Sequence, residues 1–408
     1  MKTSRIIAVI FVWVAFTSEY PFTLIQAYPW HPHLLIISTI NLLMVTWLLV
    51  KKNFVLLSKK VLVVITIQVI IFFIFFMIHN DEFYLRIILR MIPIVITCIF
   101  IKNIIGIENF SKSLLVLFSI LGILGVAAFI LSFIGILDPI YIYENPDGRP
   151  AYNFIFTLTN KVFQFGNTNV IRVASFFDEP GTFAFYIIFF LLLNKIYKFG
   201  KVYDNILIIS GLFTFSMAFY ILIAVYFIIF RKEGKRRYYI PAVLVIIAFL
   251  SIVFISKGES DVSNKMYSLT FDRFRMTNNE DQLFVGDNRS RQMFMAISIF
   301  LDNPLIGYGT TNAIKDFPPM NTNIFAPLAF NGVIGFIFLF MNVGLLYSFI
   351  YKRKDTAKFI LLLTLLYFQR PHVIGYFTYS MTILIVEMII NERFNKTHYQ
   401  KSRIGAIF

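Results

Sequence analysis

The residues most able to do chemistry in this chain are Arg172, Asp178 and Glu179, gathered in the run Arg172-Val-Ala-Ser-Phe-Phe-Asp-Glu-Pro-Gly181. The run closes a polar segment, 138–180, in a chain that is otherwise mostly apolar. Pro180-Gly181 opens an apolar stretch, so both acids fall at or near a helix N-cap. A carboxylate ahead of a proline suits a helix N-terminus, where it meets unpaired N–H groups and the positive end of the dipole. Capping therefore competes with function for Asp178 and Glu179, and two acids are more than one cap requires.

A second group follows in Gly286-Asp-Asn-Arg289-Ser-Arg291. From Gln292 to Asn303 the spacing of Phe294, Ile297, Phe300 and Leu301 predicts a helix lying on the bundle, stopped by Asn303-Pro304. Arg172, Arg273, Arg275, Arg289, Arg291 and Arg370 offer planar, permanently charged guanidinium groups suited to bidentate recognition of phosphate. Such a set calls for an anionic ligand, while anchoring to lipid phosphates is the plainer reading of Arg289 and Arg291. Arg86 and Arg90 stand four apart on one helix face. Burying an arginine in a span costs about 2.5–3.5 kcal/mol, so they are candidates for ligand contact with Asp81 and Glu82 as available partners. Snorkelling to the interface is the alternative. Tyr141, Tyr143, Tyr152 and Tyr308 are candidates for stacking on sugars, although tyrosine also favours membrane interfaces. None of His31, His33, His79, His372 and His398 shows ligand spacing with acids or with the lone Cys98. There is no Gly-rich phosphate loop and no paired acidic motif for a nucleotide-bound Mg²⁺, so neither metal nor cofactor is expected.

The elements that must carry these residues follow from composition. Hydrophobic residues make up 58% of 408 positions and charged residues 14%, with 49 Phe and 21 Tyr. That is more apolar surface than one soluble core buries, and it predicts an all-α polytopic membrane protein. The net charge of +15 sits in short loops flanking apolar runs, where it orients helices, so no nucleic-acid partner is expected. Runs of spanning length, roughly 17–25 residues, occur at 6–25, 33–50, 61–78, 84–101 and 114–137, with further runs at 181–194, 239–256 and 323–349. The first lacks a cleavage site and reads as a retained helix. The runs 205–230 and 358–391 have basic clusters at both flanks, so each reads as a hairpin of two short helices, turning near Phe215-Ser216 and at Gln369-Arg370-Pro371-His372. The sum is about twelve transmembrane helices in a single integral domain, 1–408, with both termini cytoplasmic. Two long outer segments, 138–180 and 257–322, are left facing outward, and loops of that length are usually functional or disordered.

Three places in this order resemble the O-antigen polymerase and ligase superfamily of bacterial inner-membrane glycan enzymes. They are Arg172 with Ser-Phe-Phe-Asp-Glu-Pro180; Arg291-Gln-Met-Phe-Met-Ala296 running into Asn303-Pro-Leu-Ile-Gly-Tyr-Gly309; and Asn331-Gly-Val-Ile-Gly335. Ligases of the superfamily carry a histidine eleven residues before the glycine matching Gly332, where this chain has Asn321. That departure, with the acidic Glu-Pro after Arg172, favours a polymerase. The resemblance implies a GT-C-like fold and transfer of a growing glycan between undecaprenyl-pyrophosphate carriers on the periplasmic side. It implies partners as well: donor and acceptor lipid-linked glycans, the membrane, a chain-length regulator and a flippase. On this hypothesis Arg172 and Arg291 hold the pyrophosphate with Arg289 assisting. Glu179 is the first candidate base and His372 the second, and Arg370 helps hold substrate. Asp178, Arg86, Arg90, Arg273, Tyr308 and Asn321 complete the candidate substrate-binding set. An O-antigen ligase acting on lipid A core is one alternative. A polytopic transporter or flippase is the other, and for it Glu387, an acid deep in a late apolar run, is the residue to watch.

Overall fold

The computed structural model describes residues 2–17, 32–51, 54–144, 150–166, 168–177, 179–230, 251, 254–272, 275–276, 289–318, 320, 325–335, 357–369, 379–384 and 387. These are mostly helical. Helices α1 (Lys2–Thr17), α2 (Pro32–Lys51), α3 (Lys59–His79), α4 (Glu82–Phe100) and α5 (Ile107–Phe133) open the chain. Lys59–His79, Glu82–Ile105 and Ile107–Phe133 are long and apolar enough to cross a membrane. The expected run 114–137 starts earlier as a helix because Glu108, Asn109 and Lys112, which read as a loop, occupy its first turns.

Local chemistry sets the joints. Helix α3 ends on Asn80 in the left-handed region, φ 48°, a conformation asparagine tolerates better than most residues. The next residue, Asp81, caps α4 by accepting the Phe83 N–H at 2.9 Å. Between α4 and α5 the chain forms a π turn, Ile101–Ile105, and Gly106, at φ 84°, donates its N–H to the Ile101 carbonyl at 2.8 Å.

The segment 138–180 corrects the all-α expectation. Strands β1 (Tyr141–Glu144), β2 (Pro150–Asn153) and β3 (Leu158–Thr159) form one antiparallel sheet, with Tyr141 opposite Asn153 and Tyr152 opposite Thr159. A second, two-stranded sheet pairs β4 (Val162–Phe165) with β5 (Thr168–Ile171), Phe163 facing Val170. Strands of two to four residues are too short for alternation to separate them from loop. Helices α6 (Pro180–Tyr197), α7 (Lys201–Leu212) and α8 (Met217–Ile229) come next. The expected hairpin in 205–230 is present, turning at 213–216. After them stand α9 (Asp261–Thr270), α10 (Arg289–Asp302), α11 (Thr310–Asp316), α12 (Ala326–Gly335) and α13 (Ala357–Gln369). The expected break at Arg370-Pro371-His372 and most of the runs 239–256 and 323–349 lie outside the described residues.

Within the 1–408 region taken as one membrane domain, the chain gathers into two compact units. One comprises Met1–Trp13, Ile37–Phe110 and Gln292–Phe408, the other Val14–Ile36 and Ser111–Arg291. In the second, α6 is buried on all sides from Thr182 to Asn194, as befits a helix apolar all round. Phe118 of α5 packs within 4.1–6.4 Å of Phe176, Phe177, Phe183, Tyr186 and Phe190, so an aromatic core lies directly under the Ser-Phe-Phe-Asp-Glu run.

In the first unit, Ala296 and Ile299 of α10 pack with Ala313, Met320, Ala326, Ala329 and Phe330. This corrects the expected face of α10. Phe294 and Leu301 are 48% and 68% exposed, and the buried stripe runs through the smaller Ala296 instead. Small residues let the short helices around it approach closely.

Candidate functional site

The Arg172 loop is built from both sides. Thr157 Oγ1 accepts the N–H groups of Ala174 and Ser175 at 3.2 and 2.9 Å, and Leu158 exchanges backbone bonds with Ala174 and Ser175. Ser175 is held in the left-handed region at φ 56°, a strained state for a non-glycine residue that surrounding structure must impose. Here the imposing contacts are the Thr157 bonds and the burial of Phe176 and Phe177 beneath it. Helix α5 presses close: a Cβ on Gly125 would fall 2.5 Å from Val173 Cγ1.

Arg172 itself is half-buried and reaches the tip of the α7–α8 hairpin. Its Nε donates to the Thr214 carbonyl at 3.2 Å and its Nη2 to the Phe215 carbonyl at 3.1 Å. Two of the five guanidinium donors are thus spent on backbone. The side chain read as a phosphate ligand holds a turn in place, and Phe215 in that turn sits at φ 45°. Val173 adds a bond to the Phe213 carbonyl at 2.8 Å. Replacing Arg172 by alanine is expected to destabilise the purified protein by about 1–3 kcal/mol for each buried carbonyl left without a donor. Lysine, lacking the fork, should fall between alanine and wild type in thermal unfolding. Wild-type unfolding of the lysine variant would separate the residue from this structural task.

Glu179 occupies the N-cap position of α6, with Pro180 following, but its side chain makes no capping hydrogen bond. Its backbone carbonyl accepts from Thr182 and Phe183 instead, at 3.0 and 3.4 Å. The half-buried Glu179 is therefore placed at the helix terminus without a capping hydrogen bond from its side chain. Asp178 lies outside the described residues, as do Arg273, Asn321, Arg370 and His372. Arg289 and Arg291 both lie in the first turn of α10, Arg291 with its side chain exposed.

The second and third places of the resemblance meet in the other unit. Tyr308 and Gly309 donate their N–H groups to the carbonyls of Ala329 and Phe330, each at 2.9 Å, and Val333 donates to Pro304 at 2.9 Å. The crossing is backbone on backbone. A Cβ on Gly332 would lie 2.3 Å from Leu305 C and O, and one on Gly307 2.4 Å from Asn331 N.

The α3–α4 turn closes over this junction. Asp81 accepts the Thr311 N–H at 2.8 Å and its hydroxyl at 2.6 Å. Tyr84 donates to Asn331 Oδ1 at 2.5 Å, and Thr310 Oγ1 lies 3.4 Å from the Tyr84 oxygen. His79 Nε2 is 3.1 Å from the Ile306 carbonyl. Sequence reading missed Tyr84, Thr310 and Thr311, although a tyrosine amid apolar residues of a span was a signal that it had a polar partner. Arg86 pairs with Glu82 at 3.1 Å, and both side chains are more than three-quarters exposed. The pair is an i, i+4 surface contact, worth at most about 0.5 kcal/mol. Of the two acids expected to serve Arg86 and Arg90, Asp81 is committed to α11.

Tyr308 is half-buried against the α10–α12 core, and its hydroxyl donates to Asp316 Oδ2 at 2.9 Å. That bond raises the phenol above its ordinary pKa, so the group stays a protonated donor through the physiological range.

At the other end of this unit, Glu387 is accounted for structurally. Lys102 Nζ donates to Glu387 Oε2 at 2.9 Å and to the Leu56 carbonyl at 2.7 Å, and Glu387 Oε1 accepts the Ser58 N–H. A buried acid so neutralised is part of the packing of the late helix on α3 and α4. Among the described residues no group of three or more His, Cys, Asp or Glu side chains could hold a metal ion.

Comparison with protein-family models, with curated proteins and with solved structures finds no match to this chain.

Proposed function

We propose that this chain polymerises a polysaccharide at the periplasmic face of the bacterial inner membrane. It would pass a growing glycan from one undecaprenyl-pyrophosphate carrier to the non-reducing-end sugar of another carrier-linked repeat unit. The described helices belong, on this reading, to a GT-C-like bundle of about twelve spans with cytoplasmic termini, and 138–180 and 257–322 are its periplasmic segments. In the reaction the bond from the donor's anomeric carbon to pyrophosphate oxygen breaks and a bond to the acceptor hydroxyl oxygen forms. The hydroxyl proton passes to a base, and the electron pair leaves with the pyrophosphate. Negative charge grows on the leaving group, where fixed cations stabilise it without reorganisation. Chemistry of this kind asks for no metal and no cofactor.

The observation that carries the reading is the position of Glu179: a half-buried acid at the N-terminus of α6, seven residues after an arginine that pins the loop. It serves as the base that orients the acceptor hydroxyl, with His372 the second candidate. Because Arg172 spends two donors on the hairpin, the pyrophosphate falls mainly to Arg291 and Arg289, with Arg172 positioning the loop. The hydrogen-bonded junction of 304–309 with 329–333, which runs into the third place of the resemblance, supports the reading at its other two places. Glu387, the acid on which a transporter reading leaned, is occupied by Lys102.

Deleting the gene and complementing it tests the reading by electrophoresis of surface polysaccharide. Loss of the length ladder with a single repeat still on the lipid A core is the expected result, restored by wild type and not by Arg291→Ala. Loss of the single repeat as well would instead indicate a ligase or flippase. A ladder restored by Arg291→Ala would remove that residue from the site.

A further inference from the structure

Tyr308 is fixed more firmly than an interfacial anchor needs to be. Its backbone is tied to Ala329, and the following glycine to Phe330, by two 2.9 Å bonds. Its hydroxyl is tied to Asp316 across the length of α11. Phe317 meets its ring edge-on, with centroids 5.4 Å apart at 76°. The ring is half-buried on the α10–α12 core, and Asp316 beside it is exposed. The result is a rigid aromatic surface with a carboxylate at its hydroxyl edge, held before any ligand arrives.

The chemistry of that pair narrows what it can receive. A lipid tail would cover the ring but desolvate the charged Asp316 without adding a donor to the one it has in the Tyr308 hydroxyl. A phosphate would be repelled by the same carboxylate. A sugar ring satisfies both halves, since its C–H face is apolar and its hydroxyls donate to carboxylate oxygens. We infer that Tyr308, Phe317 and Asp316 form a sugar subsite, in which a pyranose stacks on the Tyr308 ring and donates hydroxyl hydrogen bonds to Asp316. The inference rests on the glycan reading above and names a place where the neutral sugars of a repeat unit are held. Preorganisation matters because an already ordered ring loses little freedom on binding.

The test uses the full chain in lipid nanodiscs and, as probe, the oligosaccharide released by mild acid from the host's carrier-linked repeat unit. Affinity is read by titration with saturation-transfer NMR, and folding of each variant by thermal unfolding. Tyr308→Ala is expected to weaken binding about tenfold and Tyr308→Phe or Tyr308→Trp by no more than about threefold, since the ring carries the contact. Asp316→Asn should weaken it to an intermediate degree. If Tyr308→Phe loses as much as Tyr308→Ala, the hydroxyl merely staples α11 and the subsite is wrong. Wild-type affinity in Tyr308→Ala would overturn the subsite and leave the glycan reading standing. No binding by wild-type protein would overturn both.

Discussion

Gly332→Ala is expected to yield little folded protein. Two costs add at this position. The residue sits at φ 62°, where a side chain costs about 1–2 kcal/mol. The larger cost is steric, because the new Cβ would lie 2.3 Å from the Leu305 carbonyl carbon and oxygen and 2.6 Å from Ile306 N. Backbone cannot swing aside as a side-chain end does, so the crossing must open. The bonds from Tyr308 and Gly309 to the 329–330 carbonyls open with it. Together these amount to about 4 kcal/mol or more, among the largest single-substitution effects. Gly258→Ala is the matched control: it too has positive φ, 93°, but nothing lies within 4 Å of its Cβ. That variant should lose only the conformational cost. Yield and monodispersity after detergent extraction compare the two, and equal behaviour would show that the backbone crossing carries no weight.

The second large effect is expected at Lys102 and Glu387, which keep only 14% and 1% of their side-chain surface exposed. Lys102→Met strands a buried carboxylate, and breaking such a pair from one side costs about 3–5 kcal/mol. Glu387→Met should cost a comparable amount by stranding the ammonium group, and it also removes the acceptor of the Ser58 N–H. Combining Lys102→Met with Glu387→Met should recover much of the loss, because two apolar side chains of similar volume need no charge partner. Thermal unfolding of the two single variants and the double closes the cycle. Additive losses would mean that the ions are stabilised by other groups. Retained glycan ladders in the double variant would further separate this pair from any proton or ion pathway.

What could be read from the chain beforehand followed from the strength of each signal. Helix α3 was expected at 61–78 and spans Lys59–His79, because a long uninterrupted apolar run has one stable solution in lipid. The turn near Phe215-Ser216 was legible from basic clusters at both flanks, since charge cannot be left in the bilayer. The stripe on α10 was read wrongly for a related reason. Where the surroundings are apolar, periodicity marks a helix without saying which side faces protein, and Phe294 faces outward. The strands were hidden by their brevity. Above all, the partners of the motif residues lie far along the chain: Arg172 meets Thr214, and Tyr84 meets Asn331. Spacing within a motif can nominate a guanidinium for phosphate, but it cannot reveal carbonyls 42 and 43 residues away that occupy two of its donors.

The short hairpin also sets a depth. Helix α7 has 12 residues and so rises at most about 18 Å at 1.5 Å per residue, against a hydrocarbon layer about 30 Å thick. On the topology proposed above, with Lys201 at the inner edge, the 213–216 turn would stop about 12 Å short of the outer edge. Arg172 and Val173 bond to that turn, so on the same proposal the segment that carries them would descend to it. On that proposal the candidate site would be the floor of a shaft sunk into the membrane, with a long polyprenyl chain staying in the lipid while only its head group tips sideways into the opening.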